Sequence, residues 1–312
     1  DVEHIVAILK EVKAKVLVTM APFPGSDLWQ KSLAIAQQVP SLKTVLAVDM
    51  TTFLPPEQAA AIRAQRGDYL SVNLGGNLST NLCDDADVPV WDFDTFISNF
   101  SAEALSYDRV IRADDVASYF HTGGTTGTPK LAPHSHQNEV MMAYQMAVSA
   151  GIDSSYVGLC GLPLFHVNAV FVTGLAAWFQ GAEVVLATPQ GYRDPSVLPN
   201  FWSLVEKHRI SFFSAVPTIL SSLLEFPTTG RNLRSLQFCL CGAAPLSTGL
   251  MRKFESETGL VVVEGYGQTE GCCASTSNPR FGERRVGSVG GRMPYVQLRT
   301  VIVDEHGDLI RE

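Results

Sequence analysis

The chain has 312 residues, of which 46% are hydrophobic and 17% charged, and its formal net charge is −8. That length allows more than one buried core, and no run of lysine and arginine marks a nucleic-acid surface. No stretch reaches the roughly 20 apolar residues of a spanning helix, and the opening Asp-Val-Glu-His lacks the basic and apolar regions of a secretion signal.

Taken in chain order, apolar β-branched runs alternate with helical segments. Strands are expected at Lys15–Thr19, Thr44–Val48, Val116–Phe120, Val157–Leu162, Glu183–Leu186, Ile210–Ser214, Leu236–Leu240 and Leu260–Val263. Several are apolar throughout, as strands covered on both faces are. Between them, Asp27 is placed to cap a helix over Leu28–Gln38, and helices follow at Pro56–Arg66 and Ser135–Ala150. Asp194-Pro195 offers a cap and a first-turn proline ahead of Ser196–Lys207, and Ser247–Thr258 stops at Gly259. Val167–Phe179 is the longest apolar stretch; Asn168, Thr173 and Gly174 interrupt it, so it reads as a buried helix. Leu74–Asn81 and Asn278–Arg292 are loops, and Arg66-Gly67-Asp68 is a turn after a helix. Tyr295–Val303 reads as a strand followed by a turn at Asp304–Asp308. This alternation predicts an α/β fold with mainly parallel sheets.

Six cysteines, Cys83, Cys160, Cys239, Cys241, Cys272 and Cys273, form no C-x-x-C pair and lack zinc spacing. They read as buried reduced thiols of a cytoplasmic protein.

The densest chemical signal is Thr122–Lys130, Thr-Gly-Gly-Thr-Thr-Gly-Thr-Pro-Lys. Glycine allows close backbone approach, threonine adds hydroxyls and lysine a mobile cation, which together suit a loop around phosphates. The Walker pattern fails, because Pro129 separates Thr128 from Lys130 and Leu131 follows the lysine. Gly123-Gly124-Thr125 breaks the dinucleotide fingerprint as well. An unremarkable Gly/Thr-rich turn is the alternative that the loop alone leaves open.

Three further motifs follow: Leu162–Val167 (Leu-Pro-Leu-Phe-His-Val), Cys241–Leu246 (Cys-Gly-Ala-Ala-Pro-Leu) and Glu264–Glu270 (Glu-Gly-Tyr-Gly-Gln-Thr-Glu). In this order the four motifs resemble those of the adenylate-forming superfamily, which includes acyl-CoA synthetases, peptide-synthetase adenylation domains and luciferases. The resemblance implies two packed α/β subdomains, 1–152 with the phosphate loop and 153–288 with the acid pocket and adenine side. Residues 289–312 then begin a small β-barrel. It also implies that the ribose-binding aspartate, the hinge and a C-terminal domain with its catalytic lysine come after Glu312; Gly307-Asp308 lacks the threonine of that aspartate's setting and is rejected.

The implied chemistry is ATP-dependent activation of a carboxylic acid to an acyl-adenylate, then thioester formation with CoA. Thr122, Gly123, Gly124, Thr125, Thr126, Gly127 and Lys130 would grip the phosphates, although many relatives carry Ser or Thr where this chain has Gly123. Glu270 would contact magnesium, a hard cation that takes one or two carboxylates beside phosphate oxygens, with Thr126 as a further contact and Thr269 at the α-phosphate. A plain helix-terminal carboxylate is the alternative for Glu270. Tyr266 offers a ring that can stack on adenine, beside Gly242, Ala243, Ala244, Gly265 and Gly267, and Glu264 or the adjacent backbone would read the adenine amino group. His166 stands where amino-acid-activating relatives place an aspartate against the substrate ammonium. An unpaired buried ammonium is costly, so the acid is expected to lack an α-amine and to be fatty or aryl; a satisfied core histidine is the alternative reading. His134 and His136, on either side of Ser135, are expected to be solvated or capping. Two other outcomes stay open: loading of a carrier protein instead of CoA, and nucleotide binding without turnover.

Overall fold

The computed structural model describes residues 1–65, 80–83, 86–105, 107–122, 130–306 and 308–311. Asp1–Ile111, with Lys130 and Leu131, gather into one unit, and Arg112–Thr122 with Ala132–Glu312 into another.

The first unit opens with helix α1 (Val2–Glu11), whose Asp1 side chain accepts a hydrogen bond from Glu3 N at 3.2 Å. Strand β1 (Val16–Met20), helix α2 (Leu28–Gln38) and strand β2 (Thr44–Val48) follow, then helix α3 (Pro56–Gln65). Strands β3 (Thr80–Cys83) and β4 (Ala86–Asp92) and helix α4 (Phe93–Ile97) complete it. The sheet order is β1-β2-β4-β3, with β1, β2 and β4 parallel and β3 antiparallel to β4. Val6, Trp29, Ile35, Val39, Val45 and Val90 form its core. Asp27 does sit ahead of α2, but its carboxylate pairs with Lys31 Nζ at 2.7 Å and caps no backbone N–H.

Strands β5 (Val116–Thr122) and β6 (Lys130–Ser135) form a two-stranded sheet, and the second unit holds β5, β6 from Ala132 on, and helix α5 (His136–Ala150). Strand β7 (Val157–Cys160) leads into a wide π-helical segment, Asn168–Leu175, which passes into helix α6 (Ala176–Phe179). Then come β8 (Glu183–Leu186), α7 (Phe201–His208), β9 (Phe212–Ala215), α8 (Pro217–Leu223), β10 (Phe238–Cys241), α9 (Thr248–Thr258) and β11 (Val261–Tyr266). Short strands β12 (Thr276–Ser277) and β13 (Gly291–Arg292) extend the sheet, and β14 (Ile302–Val303) pairs antiparallel with β15 (Leu309–Arg311). The seven-stranded sheet runs β13-β12-β11-β10-β9-β7-β8. Its five longer strands, β7 to β11, are all parallel.

Both faces of this sheet are covered, which explains the apolar runs of its strands. Side chains alternate across a strand, so Phe212, Phe238, Leu240 and Val263 pack on one face with Met142, Met146 and Phe171. Phe213, Cys239 and Val262 pack on the other face with Phe201, Trp202 and Phe254. Phe212 and Phe238 stack at 5.3 Å and 4°. Phe120 of β5 and Met142 and Met146 of α5 belong to the first of these clusters. For that reason the division between units falls near residue 111 rather than at 152. Among the described residues no helix is long and apolar enough to cross a membrane. Cys160, Cys239, Cys241, Cys272 and Cys273 are buried free thiols.

Candidate active site

From β7 the chain crosses to β8 on one side of the sheet and then returns to β9 on the other. In open α/β sheets, ligands bind outside the carboxyl ends of the strands near such a switch point. Two cavities lie there. One, of about 190 Å³, is lined by Gly242 and Ala243 after β10, by Gly265, Tyr266, Gly267 and Thr269 at the end of β11, and by His166. Its apolar wall includes Met146, Val172, Leu240 and Val263. The second, of about 370 Å³, is lined by Leu162, Pro163, Phe165, Tyr192, Arg193 and Val216, among others. His166, Asn168 and Ala243 belong to both walls.

Close backbone approaches shape the first cavity. A Cβ on Gly267 would lie 1.6 Å from the Cys273 carbonyl oxygen, and one on Gly242 3.2 Å from the Gly265 oxygen. Ala243 and Cys272 hold φ of 67° and 74°, a region that side-chain-bearing residues rarely occupy. Such strain persists only where the surroundings enforce it, and it gathers at functional sites. Tyr266 is 44% exposed at the cavity, and its hydroxyl accepts from Gln268 Nε2 at 2.6 Å. Thr276 also lines the wall; it is 2% exposed, and its Oγ1 has no partner among the described residues. A buried hydroxyl normally finds a hydrogen bond, so the cavity fits a ligand that carries polar atoms.

At the shared wall, Asn168 N donates to His166 Nδ1 at 3.2 Å, which leaves the proton of the neutral ring on Nε2. Burial, and secondarily repulsion from His121, hold His166 below the usual histidine range, which favours that neutral ring. Asn168 is itself oriented by Ser214 Oγ, which donates to its Oδ1 at 2.7 Å. Among the described residues, no aspartate or glutamate lines either cavity.

The structure brings Gly242, Ala243, Gly265, Tyr266, Gly267, Thr269 and His166 to one wall. Thr122 ends β5 and Lys130 opens β6 with its side chain exposed. Gly123, Gly124, Thr125, Thr126 and Gly127 lie outside the described residues. Ala244 is exposed and adjoins the wall without lining it, and Glu270 is exposed in the Thr269–Gly271 turn that borders it. A single carboxylate is a fitting donor set for magnesium that also holds phosphate oxygens and water, and among the described residues no cluster of three metal-ligating side chains exists.

Two side chains depart from expectation. Glu264 is buried and faces away from the cavity, because strand alternation sends it opposite to Val263 and Gly265. Burial pushes its carboxyl up, against a hydrogen bond with the Leu246 backbone, and its Oε2 has no partner among the described residues. His134 is neither solvated nor capping: it is 2% exposed, with Nε2 2.7 Å from the Thr269 carbonyl oxygen. The cap of α5 is Ser135, in a reciprocal box with Asn138. Asn168 and Thr276 line the first cavity and carry no motif signal, since only the fold places them there.

Known proteins share this architecture. The family model described as AMP-binding enzyme matches residues 1–311. The chain is 34% identical over 316 residues to a marinolic acid–CoA ligase of Pseudoalteromonas sp. (strain SANK 73390), with 100% of this chain and 43% of that protein covered. It is 26% identical over 314 residues to a long-chain-fatty-acid–CoA ligase of Bacillus subtilis (strain 168), covering 96% and 50%. The chain thus spans about half the length of these relatives. In structure it is similar to the anthranilate CoA ligase AuaEII in complex with anthranoyl-AMP, with a TM-score of 0.75 at 21% identity, covering 100% of this chain and 51% of that one. It is also similar to ATP-bound MatB from Rhodopseudomonas palustris, with a TM-score of 0.63 at 23% identity, covering 98% and 60%.

Proposed function

The chain belongs to the AMP-binding enzyme family, and from that premise we propose that it forms the nucleotide- and acid-binding part of an acid–CoA ligase. The reaction is activation of a carboxylic acid without an α-amine, fatty or aryl, by ATP to an acyl-adenylate with release of pyrophosphate, then transfer to the thiol of CoA. The observation that carries this reading is the convergence of three motifs, spread over more than a hundred residues of sequence, on one cavity beside the strand ends.

In this reading adenine lies between the Tyr266 ring and the small backbone of Gly242 and Ala243. Thr269 meets the α-phosphate, and the acid extends toward Met146, Val172 and Leu240. Carboxylate attack on the α-phosphate needs alignment and charge neutralisation more than covalent chemistry from the protein. Thr122–Lys130 would grip the departing pyrophosphate, and Glu270 would hold magnesium, which neutralises phosphate charge. The second cavity would receive the thiol arm, so that His166 stands between adenylate and thiol. The lack of a carboxylate among the described residues of both walls supports an acid without an ammonium group, because none of them would pair with one.

The test is acid-dependent exchange of labelled pyrophosphate into ATP by the full-length protein that carries this chain. Exchange with fatty or aryl acids, and none with amino acids, is expected. No exchange across a broad panel of acids would refute the proposal.

A further inference from the structure

We propose that His134 is a positioning residue for the adenylate-forming step: one imidazole ties down both ends of the Thr269–Cys272 turn and thereby fixes Thr269 at the cavity wall. The inference rests on the nucleotide reading of that cavity.

The proton on the ring can be placed from its neighbours. Nε2 lies 2.7 Å from the Thr269 carbonyl oxygen. A carbonyl oxygen can only accept, so Nε2 carries the proton. In the neutral ring Nδ1 is then an acceptor, and Cys272 Sγ lies 3.8 Å from it. Cys272 is a buried free thiol, so its S–H is the donor to that nitrogen. The Thr269 oxygen also accepts from Cys272 N at 3.1 Å. Thr269 O and Cys272 Sγ, the two ends of the turn, thus meet the same side chain.

The turn needs such a tie. Cys272 sits at φ 74° and ψ −48°, a conformation that a side-chain-bearing residue keeps only under constraint. The ring itself is held: it stacks on Phe120 at 5.1 Å and 30° and lies 5.9 Å from Phe171. Packing alone would be served by phenylalanine at this place. An imidazole among aromatic rings is stable only when both nitrogens find partners, and here both partners belong to the turn that carries Thr269 and Glu270. His134 lies on β6, so its bonds join that strand to the turn that borders the nucleotide cavity.

His134→Phe and His134→Gln in the full-length protein separate this role from packing. Phenylalanine keeps the ring stack and removes both ties; glutamine restores an amide N–H toward the Thr269 oxygen. For His134→Phe we expect faster hydrogen exchange in peptides covering 269–272 and unchanged exchange elsewhere. The acid-dependent pyrophosphate exchange rate per folded molecule should fall about 100-fold, the scale of a misplaced contact, while ATP affinity changes far less. His134→Gln should recover the rate to within about tenfold of wild type. Wild-type protection of the turn and a wild-type rate in His134→Phe would overturn the proposal, as would equal losses in the two variants. If His134→Phe does not fold, Cys272→Ser against Cys272→Ala asks the same question from the other end: serine keeps a donor toward Nδ1, and a serine variant no better protected than alanine overturns the tie. Absence of ATP binding by the wild type would defeat the nucleotide reading separately, and hydrogen exchange would still decide whether His134 holds the turn.

Discussion

Replacing Gly267 with alanine tests whether the cavity wall depends on a close backbone approach. The added Cβ would lie 1.6 Å from the Cys273 carbonyl oxygen and 2.5 Å from its carbon. Non-bonded heavy atoms settle at about 3.5 Å, so something must retreat by about 2 Å. What blocks it is backbone, and the preceding residue, Cys272, already holds φ at 74°. Overpacking costs about 1–3 kcal/mol, and a backbone obstacle places this site at the upper end. At about 3 kcal/mol the melting midpoint should fall by roughly 6–12 °C. Displacement of the Tyr266 turn by about 1 Å should weaken binding of a non-hydrolysable acyl-adenylate mimic by about 100-fold. Gly249→Ala is the control: Gly249 lies in α9, and a Cβ there would meet no described atom within 4 Å. At that position alanine should stabilise by about 0.5–1 kcal/mol. Scanning calorimetry and titration of the mimic read both quantities, and variants indistinguishable in midpoint and affinity would refute the reasoning.

Thr276→Val removes the unpartnered hydroxyl while keeping the shape; stability should hold or rise by about 1 kcal/mol, mimic affinity should drop, and unchanged affinity would show that no ligand atom meets this oxygen. Burial pushes the thiols of Cys241, Cys272 and Cys273 up to about 12. At pH 8 they should resist iodoacetamide until the chain is denatured, and rapid native labelling by mass spectrometry would contradict their placement. Because their folded values exceed the ordinary value of 9.0, the stability they contribute is fully present below pH 9 and lost as pH climbs from there toward 12, which denaturation midpoints across that range will show. Arg280 donates to Ala150 O at 2.8 Å and to Tyr156 Oη at 3.0 Å, over the Phe238 ring at 4.1 Å. Arg280→Met should cost about 1.5–3 kcal/mol in chemical denaturation; an unchanged midpoint would show that this clamp contributes nothing to the fold.

Much of the sheet is legible because its strands are buried on both faces. Phe212-Phe213 and Val261–Val263 are apolar at consecutive positions, which only a doubly covered strand tolerates. Strand β6 is different: Lys130, Pro133 and His134 dilute its apolar signal, and its existence follows from pairing with β5. The capping pattern predicts helix α7 from Ser196, whereas the helix starts at Phe201. Asp194 does accept from Ser196 N at 2.9 Å, as a local turn rather than a helix cap. Pro199 explains the delay, since a proline inside the first turns removes a donor and clashes with the preceding carbonyl.

The site divides along the same physical line. Gly242 and Gly267 are readable because close backbone approach demands glycine there, and they line the cavity together with Ala243, Tyr266 and Thr269 of the same two motifs. Glu264 belongs to the same motif, yet period-two alternation alone sends it to the far face beside Cys241. His134 is the converse: nothing adjacent in sequence gives its nitrogens a reason, because their partners, Thr269 and Cys272, lie 135 and 138 residues away. Motif reading finds residues whose chemistry is local. Residues that hold the motif in place become visible only when the fold shows which buried polar atoms they satisfy, and that accounting places His134 next to the cavity wall rather than in solvent.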